Sequence, residues 1–132
     1  MNRETLIGLL RSRLDGVLAI YAFGSRVQGT ADSRSDLDLA VLVRGYVDPL
    51  LLWELAGEAA DIAGCPVDLL DMRKASTVMQ QQVLQRGERW WAVDGVEAGL
   101  FECAVLSEKL ELDRARAPLL QEIARDGRIY GR

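Results

Sequence analysis

The chain contains no histidine. Without it there is no Ser-His-Asp arrangement, no neutral-pH general base of the usual kind and no histidine-bearing zinc site, so any catalysis has to run on carboxylates, metal ions, lysine or arginine. Cysteine is scarce as well: Cys65 and Cys103 stand alone, form neither a disulfide framework nor a metal-binding spacing, and read as two buried free thiols. No stretch approaches the ~18 apolar residues that a membrane-spanning helix needs. The beginning, Met1-Asn2-Arg3-Glu4-Thr5, lacks the basic region and apolar core of a secretion signal, so a cytoplasmic protein is expected. Positive charge is in the minority, 16 basic against 20 acidic residues, which argues against direct, unspecific nucleic-acid binding. Repeats, low-complexity tracts and linkers are absent. At 132 residues and 49% hydrophobic content the chain has material for one core, and a single domain over 1–132 is expected.

What is present is a regular succession of short elements. Leu6, Ile7, Leu10 and Leu14 recur at helical spacing within residues 2–14, with Asn2 as cap and Gly16 as stop. Val17 to Phe23 is a short apolar run with β-branched and aromatic members, a buried strand ended by Gly24. A polar segment of ten residues follows. Asp36 to Val43 alternates and then turns continuously apolar, as a central strand does when its first residues emerge at a sheet edge. Asp48-Pro49 predicts a cap with proline at the first helical position, opening a helix to Ala63 that Gly64 ends. Pro66 to Asp71 predicts a third strand, and Ser76 to Arg86 a helix ended by Gly87. Arg89 to Val93 fits a short edge strand or an apolar loop. Beyond it, Leu100, Phe101, Ala104, Val105 and Leu112 predict a long helix over 96–116, and Pro118 opens another that Gly127 stops. The fold class is therefore α+β, or mixed α/β: a small mixed sheet backed by helices, with a core over about 16–72 and C-terminal helices over about 95–126.

Folding alone does not account for residues 24–43. Gly24-Ser25 makes a turn after one strand, and Asp36 and Asp38 stand one residue apart at the head of the next. On a strand such a pair shares a face with Cα atoms roughly 6.6 Å apart. Left empty, two charges at ~6 Å in an effective dielectric of ~20 repel by roughly 3 kcal/mol, and a cation reverses that sign. Mg²⁺ takes oxygen ligands, binding through one or two carboxylates plus substrate phosphates. The Gly-Ser turn supplies the complement, since glycine lets the backbone approach closely while exposed amides and a hydroxyl hold phosphate oxygens. Arg26 is positioned to neutralise more of a triphosphate. Downstream, Asp68 and Asp71 are separated by three, so they lie on opposite strand faces and only one of them can join the first pair. A solvated turn is the plainer explanation of each signal taken singly; the combination favours a catalytic site.

Gly24-Ser25, ten residues and then Asp36-Leu37-Asp38 resemble the signature of the DNA polymerase β-like nucleotidyltransferase superfamily. The short chain resembles its minimal nucleotidyltransferase (MNT) branch, the antitoxin partners of HEPN-domain toxins. The resemblance runs from about Ile20 to Leu70 and continues more weakly to Arg132. It implies that Asp36 and Asp38 bind metal, that Gly24 and Ser25 grip nucleotide phosphates, and that Asp68 is the third carboxylate, which binds metal and helps activate the acceptor hydroxyl. Asp71 is the competitor for that role. Family members of this size lack the domains with which larger relatives hold templates or RNA, which leaves a protein or small molecule as acceptor. The implied activity is transfer of AMP from ATP, with two Mg²⁺ ions, to a tyrosine of a HEPN RNase toxin encoded next to it. Transfer to a small molecule, as in antibiotic modification, and neutralisation by binding alone are the alternatives.

Other residues invite functional readings that a structural one outweighs. Trp90 and Trp91 read as packing before adenine stacking or a partner contact, and the 96–116 helix reads as packing before partner docking, with Glu108, Lys109, Glu111, Asp113 and Arg114 on a solvated face. Arg73 and Lys74 read as a helix-start loop before a phosphate contact, and Tyr130 as a frayed terminus before a modification target.

Overall fold

The computed structural model describes residues 2–24, 36–108 and 110. Helix α1, Arg3–Arg13, buries Leu6 and Leu10, and strand β1, Val17–Phe23, follows it. Strand β2, Leu37–Val43, begins one residue after Asp36, so Asp36 stands just ahead of the strand. Helix α2 is Pro49–Ala63; the Asp48 carboxylate accepts from the Leu50 N–H, and Gly64 at φ 74° closes the helix in the left-handed conformation that glycine tolerates. Strand β3, Val67–Asp71, leads to helix α3, Thr77–Arg86, where the Ser76 hydroxyl accepts from the Met79 N–H. Strand β4 is Glu88–Ala92. Residues 97–108 form a further helix, α4.

The four strands form one mixed sheet in the order β3-β2-β1-β4. β1 pairs antiparallel with β2 and with β4, whereas β2 and β3 run parallel, joined by the α2 crossover. The alternation of each strand builds two cores. Ile20, Ala22, Leu39, Val41 and Val67 pack under α1 and α2 with Leu6, Leu10, Leu55 and Ala59. Tyr21, Ala40 and Leu42 pack on the other face with Met72, Val83 and Ala98 of the α3 and α4 side. The antiparallel and parallel pairings leave the C-terminal end of β1 beside the N-terminal ends of β2 and β3, and at that end the apolar residues give way to Gly24, Asp36, Asp38 and Asp68.

Several sequence expectations change here. Asn2 precedes α1 but its side chain makes no capping bond. Cys65 is half-buried and Cys103 exposed; both are free, so the expected pair of buried thiols does not hold. On α4 the buried residues are Ala98 and Val105, with Phe101 packed beside the core, whereas Leu100 is 64% exposed and Ala104 faces outward. Leu112, Pro118, Tyr130 and the helix expected after Pro118 lie outside the described residues.

Candidate active site

Register brings the acidic residues together. Asp38, the second residue of β2, is the ladder partner of Phe23 on one side and of Asp68 on the other. Asp38 has the parity of Ala40 and Leu42, and Asp68 that of Leu70, so both carboxylates lie on the α3 and α4 face just beyond its apolar part. Asp38 is half-buried; Asp36 and Asp68 are exposed. The Asp38 carboxyl is held above its ordinary range, first by burial, then by the charge of Asp68, a hydrogen bond to Asp68 and the charge of Asp36. Like charges are thus crowded at one point.

Gly24 completes the row. Its φ is 84°, and a Cβ built there would overlap Asp38 Oδ2 and lie 3.1 Å from Asp38 Cγ. Only glycine allows the turn and the carboxylate to occupy this space. Ser25 and Arg26, the other residues expected to grip phosphates, lie outside the described residues.

Asp71 has a different occupation. It is 3% exposed, and its Oδ2 accepts from the Val47 N–H at 2.8 Å while Oδ1 accepts from the Arg73 N–H at 3.1 Å. It fastens the β2–α2 loop to the end of β3, on the face opposite Asp68. The adjoining cations are equally structural: Arg73 Nε donates to the Val43 carbonyl and stacks over Phe101, and Lys74 Nζ donates to the Val47 carbonyl at 3.2 Å.

Trp90 and Trp91 are accounted for by packing. Strand β4 pairs Ile20 with Trp91 and Tyr21 with Arg89, skipping Trp90. This bulge allows consecutive residues to reach the same core, against which both rings pack. Arg3 lies over Trp90 at 4.8 Å from the ring centre and Arg11 over Trp91 at 4.2 Å.

Among the described residues no three acidic side chains converge into a ready-made cation cage. The donor set is instead two carboxylates in register with a third just upstream, oxygen ligands only. That set fits a hard divalent cation of the kind that completes its shell with water and substrate phosphate. Two recesses flank it. One, beside Gly24, is lined by Phe23, Met79, Gln82 and Arg86; the other, between α2 and the start of β3, includes Trp53, Glu54 and Asp68. Sequence reasoning passed over Met79, Gln82 and Arg86, although their spacing of three and four puts them on one face of α3.

Residues 4–92 match the family model described as "Polymerase beta, Nucleotidyltransferase". The chain belongs to this nucleotidyltransferase family. Over 123 residues it is 36% identical to the protein adenylyltransferase MntA of Shewanella oneidensis, an alignment covering 93% of this chain and 88% of the relative. It is similar to a crystal structure of a toxin-antitoxin with AMP-PNP, at 35% identity and a TM-score of 0.79, with 94% of this chain and 99% of that one covered. It is also similar to a structure of tri-AMPylated Shewanella oneidensis HEPN toxin in complex with MNT antitoxin, at 32% identity and a TM-score of 0.72, covering 93% and 96% of the two chains. The nucleotidyltransferase chemistry reached from the motif is therefore that of the family, and the mixed sheet is that of its fold.

Proposed function

We propose that this chain is an antitoxin that acts in the cytoplasm as a protein adenylyltransferase, moving AMP from ATP to a tyrosine hydroxyl of a cognate HEPN toxin. The observation that carries this reading is the paired register of Asp38 and Asp68 beside Gly24, in a chain alignable over 93% of its length with a protein adenylyltransferase. Asp38 and Asp68, with Asp36 at the rim, would hold Mg²⁺, which when bound offsets their repulsion and neutralises charge developing on phosphate oxygens.

The remaining work falls to the chain's own groups. The Gly24 turn, with Ser25 and Arg26, binds the phosphates and fixes the α-phosphorus at the sheet end. Asp68, exposed at the outer strand, accepts the proton of the acceptor hydroxyl. The acceptor oxygen then forms a bond to the α-phosphorus, the bond from that phosphorus to the bridging oxygen breaks, and pyrophosphate leaves with the electron pair. No histidine is required at any step.

Intact-mass measurement after incubation with ATP, Mg²⁺ and the product of the adjacent gene tests the proposal. The expected result is a partner mass increase of one or more AMP units with the wild type and none with Asp38→Asn or Asp36→Asn. Tight association without a mass change, under any nucleotide or metal, would establish neutralisation by binding alone.

A further inference from the structure

The proposed transfer dictates where its leaving group must go. The acceptor oxygen, the α-phosphorus and the departing bridging oxygen lie roughly in line, so pyrophosphate leaves away from the carboxylate that receives the acceptor's proton. At the sheet end that line has a direction. Across β3, β2 and β1, Asp68, Asp38 and Phe23 are successive ladder partners on the α3 and α4 face, and Gly24 follows Phe23. With neighbouring strands about 4.8 Å apart, Asp68 stands roughly 10 Å from the end of β1. An acceptor that enters at Asp68 therefore expels pyrophosphate across Asp38, towards Gly24 and what lies beyond it.

Beyond it lies the end of helix α3. The recess beside Gly24, about 210 Å³, is lined by Phe23 from that same face and by Met79, Gln82 and Arg86 of α3. Its charged lining residue is Arg86, an exposed cation at the margin of a carboxylate row, and the Gln82 amide adds a neutral donor. The approach of α3 to β1 is built in. A Cβ on Gly87, the residue after Arg86, would overlap the Val83 carbonyl oxygen and lie 2.8 Å from the Ala22 carbonyl oxygen. Glycine lets the end of the helix close on the end of β1. A cation in the last turn also suits the negative end of a helix, which accounts for the charge of Arg86 but not for its place in the recess.

We propose that Arg86 is the leaving-group residue of the transfer: from the α3 side its guanidinium holds the terminal phosphates of ATP and then the pyrophosphate, with Gln82 as a second donor. This rests on the proposed transfer of AMP from ATP and adds the residue that receives the other product. As the acceptor oxygen bonds to the α-phosphorus, the bond to the bridging oxygen breaks and the electron pair stays on the pyrophosphate. A fixed cation there stabilises the transition state more than the ground state, because that is where negative charge grows. The planar fork of arginine suits two phosphate oxygens at once.

Calorimetry with Mg²⁺ and two probes, ATP and pyrophosphate, tests the assignment alongside AMP transfer to the full-length toxin. Arg86 is exposed, so Arg86→Ala should keep the wild-type Tm. It should weaken ATP and pyrophosphate by a similar factor, about tenfold to a hundredfold, and lower kcat at saturating ATP by at least about tenfold. Arg86→Lys, which keeps the charge and loses the fork, should recover part of both losses. Weaker ATP with unchanged pyrophosphate would place Arg86 at the nucleoside and overturn the proposal, as would unchanged affinity for both. Weaker binding with an unchanged kcat overturns the leaving-group role, since it leaves Arg86 no effect on the transition state beyond the ground state. A wild type that binds ATP but transfers no AMP overturns the transfer reading instead, while the pyrophosphate comparison still decides whether Arg86 holds the phosphate tail.

Discussion

Asp68 and Asp71 show how little separates an exposed carboxylate at the sheet end from a structural one. They are three residues apart on the same short strand, yet one is exposed beside Asp38 and the other is buried and occupied by two backbone N–H groups. The motif offered both, and strand parity separated them without saying which was which; the hydrogen bonds from the Val47 and Arg73 N–H groups give Asp71 a structural occupation. Replacing Asp71 by alanine leaves the buried Val47 N–H and the half-buried Arg73 N–H without these partners, which costs about 2–4 kcal/mol. Urea denaturation should show that loss, while AMP transfer per folded molecule stays within about twofold. Asp68→Asn should behave oppositely, losing transfer by at least ~100-fold with stability unchanged or slightly raised. The reverse pair of outcomes would move the third carboxylate role to Asp71.

At the scale of elements, α2 was legible almost to the residue because its signals are local: a capping aspartate, a proline at the first position and a glycine at the end. Two other elements were not, for a common reason. The bulge that turns Trp90 and Trp91 to one core depends on how β4 meets β1, which no feature of the Trp-Trp pair encodes. On α4 the apolar residues form two adjacent stripes, and periodicity cannot choose between them; docking selects Ala98, Phe101 and Val105 and leaves Leu100 outside. One tie to that docking comes from Tyr21, 2% exposed on β1, whose hydroxyl donates to Glu102 Oε2 at 2.7 Å, with Arg89 3.2 Å from the same oxygen. Burial first, then the bond to Glu102 and its charge, push the Tyr21 hydroxyl far above its ordinary value, against a smaller opposing effect of Arg89. It therefore stays protonated in the folded state when the unfolded chain begins to ionise near pH ~10. Folded molecules then hold more protons than unfolded ones, so the stability due to this group is complete below pH ~10 and declines as the pH rises beyond it. Tyr21→Phe should be less stable by about 1–2 kcal/mol at pH 7, and the gap should narrow above pH ~10 because the wild type weakens. A gap that stays constant between pH 8 and pH 11 would mean that folding does not hold this hydroxyl protonated, and the absence of any gap at pH 7 would mean that it adds nothing to the docking of α4.

The whole molecule is arranged so that its stability and its chemistry oppose one another at one end of the sheet. Two cores on either face hold the strands in a register that forces Asp38 and Asp68 side by side, and Asp36 adds a third charge. This crowding was legible in the sequence as a composition of motif residues, but its severity was not, because the parallel pairing of β2 with β3 is set by the α2 crossover. The acidic end should weaken the protein when it is empty and strengthen it when loaded. Asp38→Asn removes one of the crowded charges, so without ligand it should melt a few degrees above the wild type. Mg²⁺ with ATP at a hundred times the dissociation constant adds about 2.7 kcal/mol to the wild type, a rise in Tm of roughly 8 °C for a chain of this size. The same addition should move Asp38→Asn much less, so that the order of the two melting temperatures inverts on loading. A wild type that fails to respond, with Asp38→Asn still the more stable protein, would show that the acidic end is not a nucleotide and metal site under those conditions.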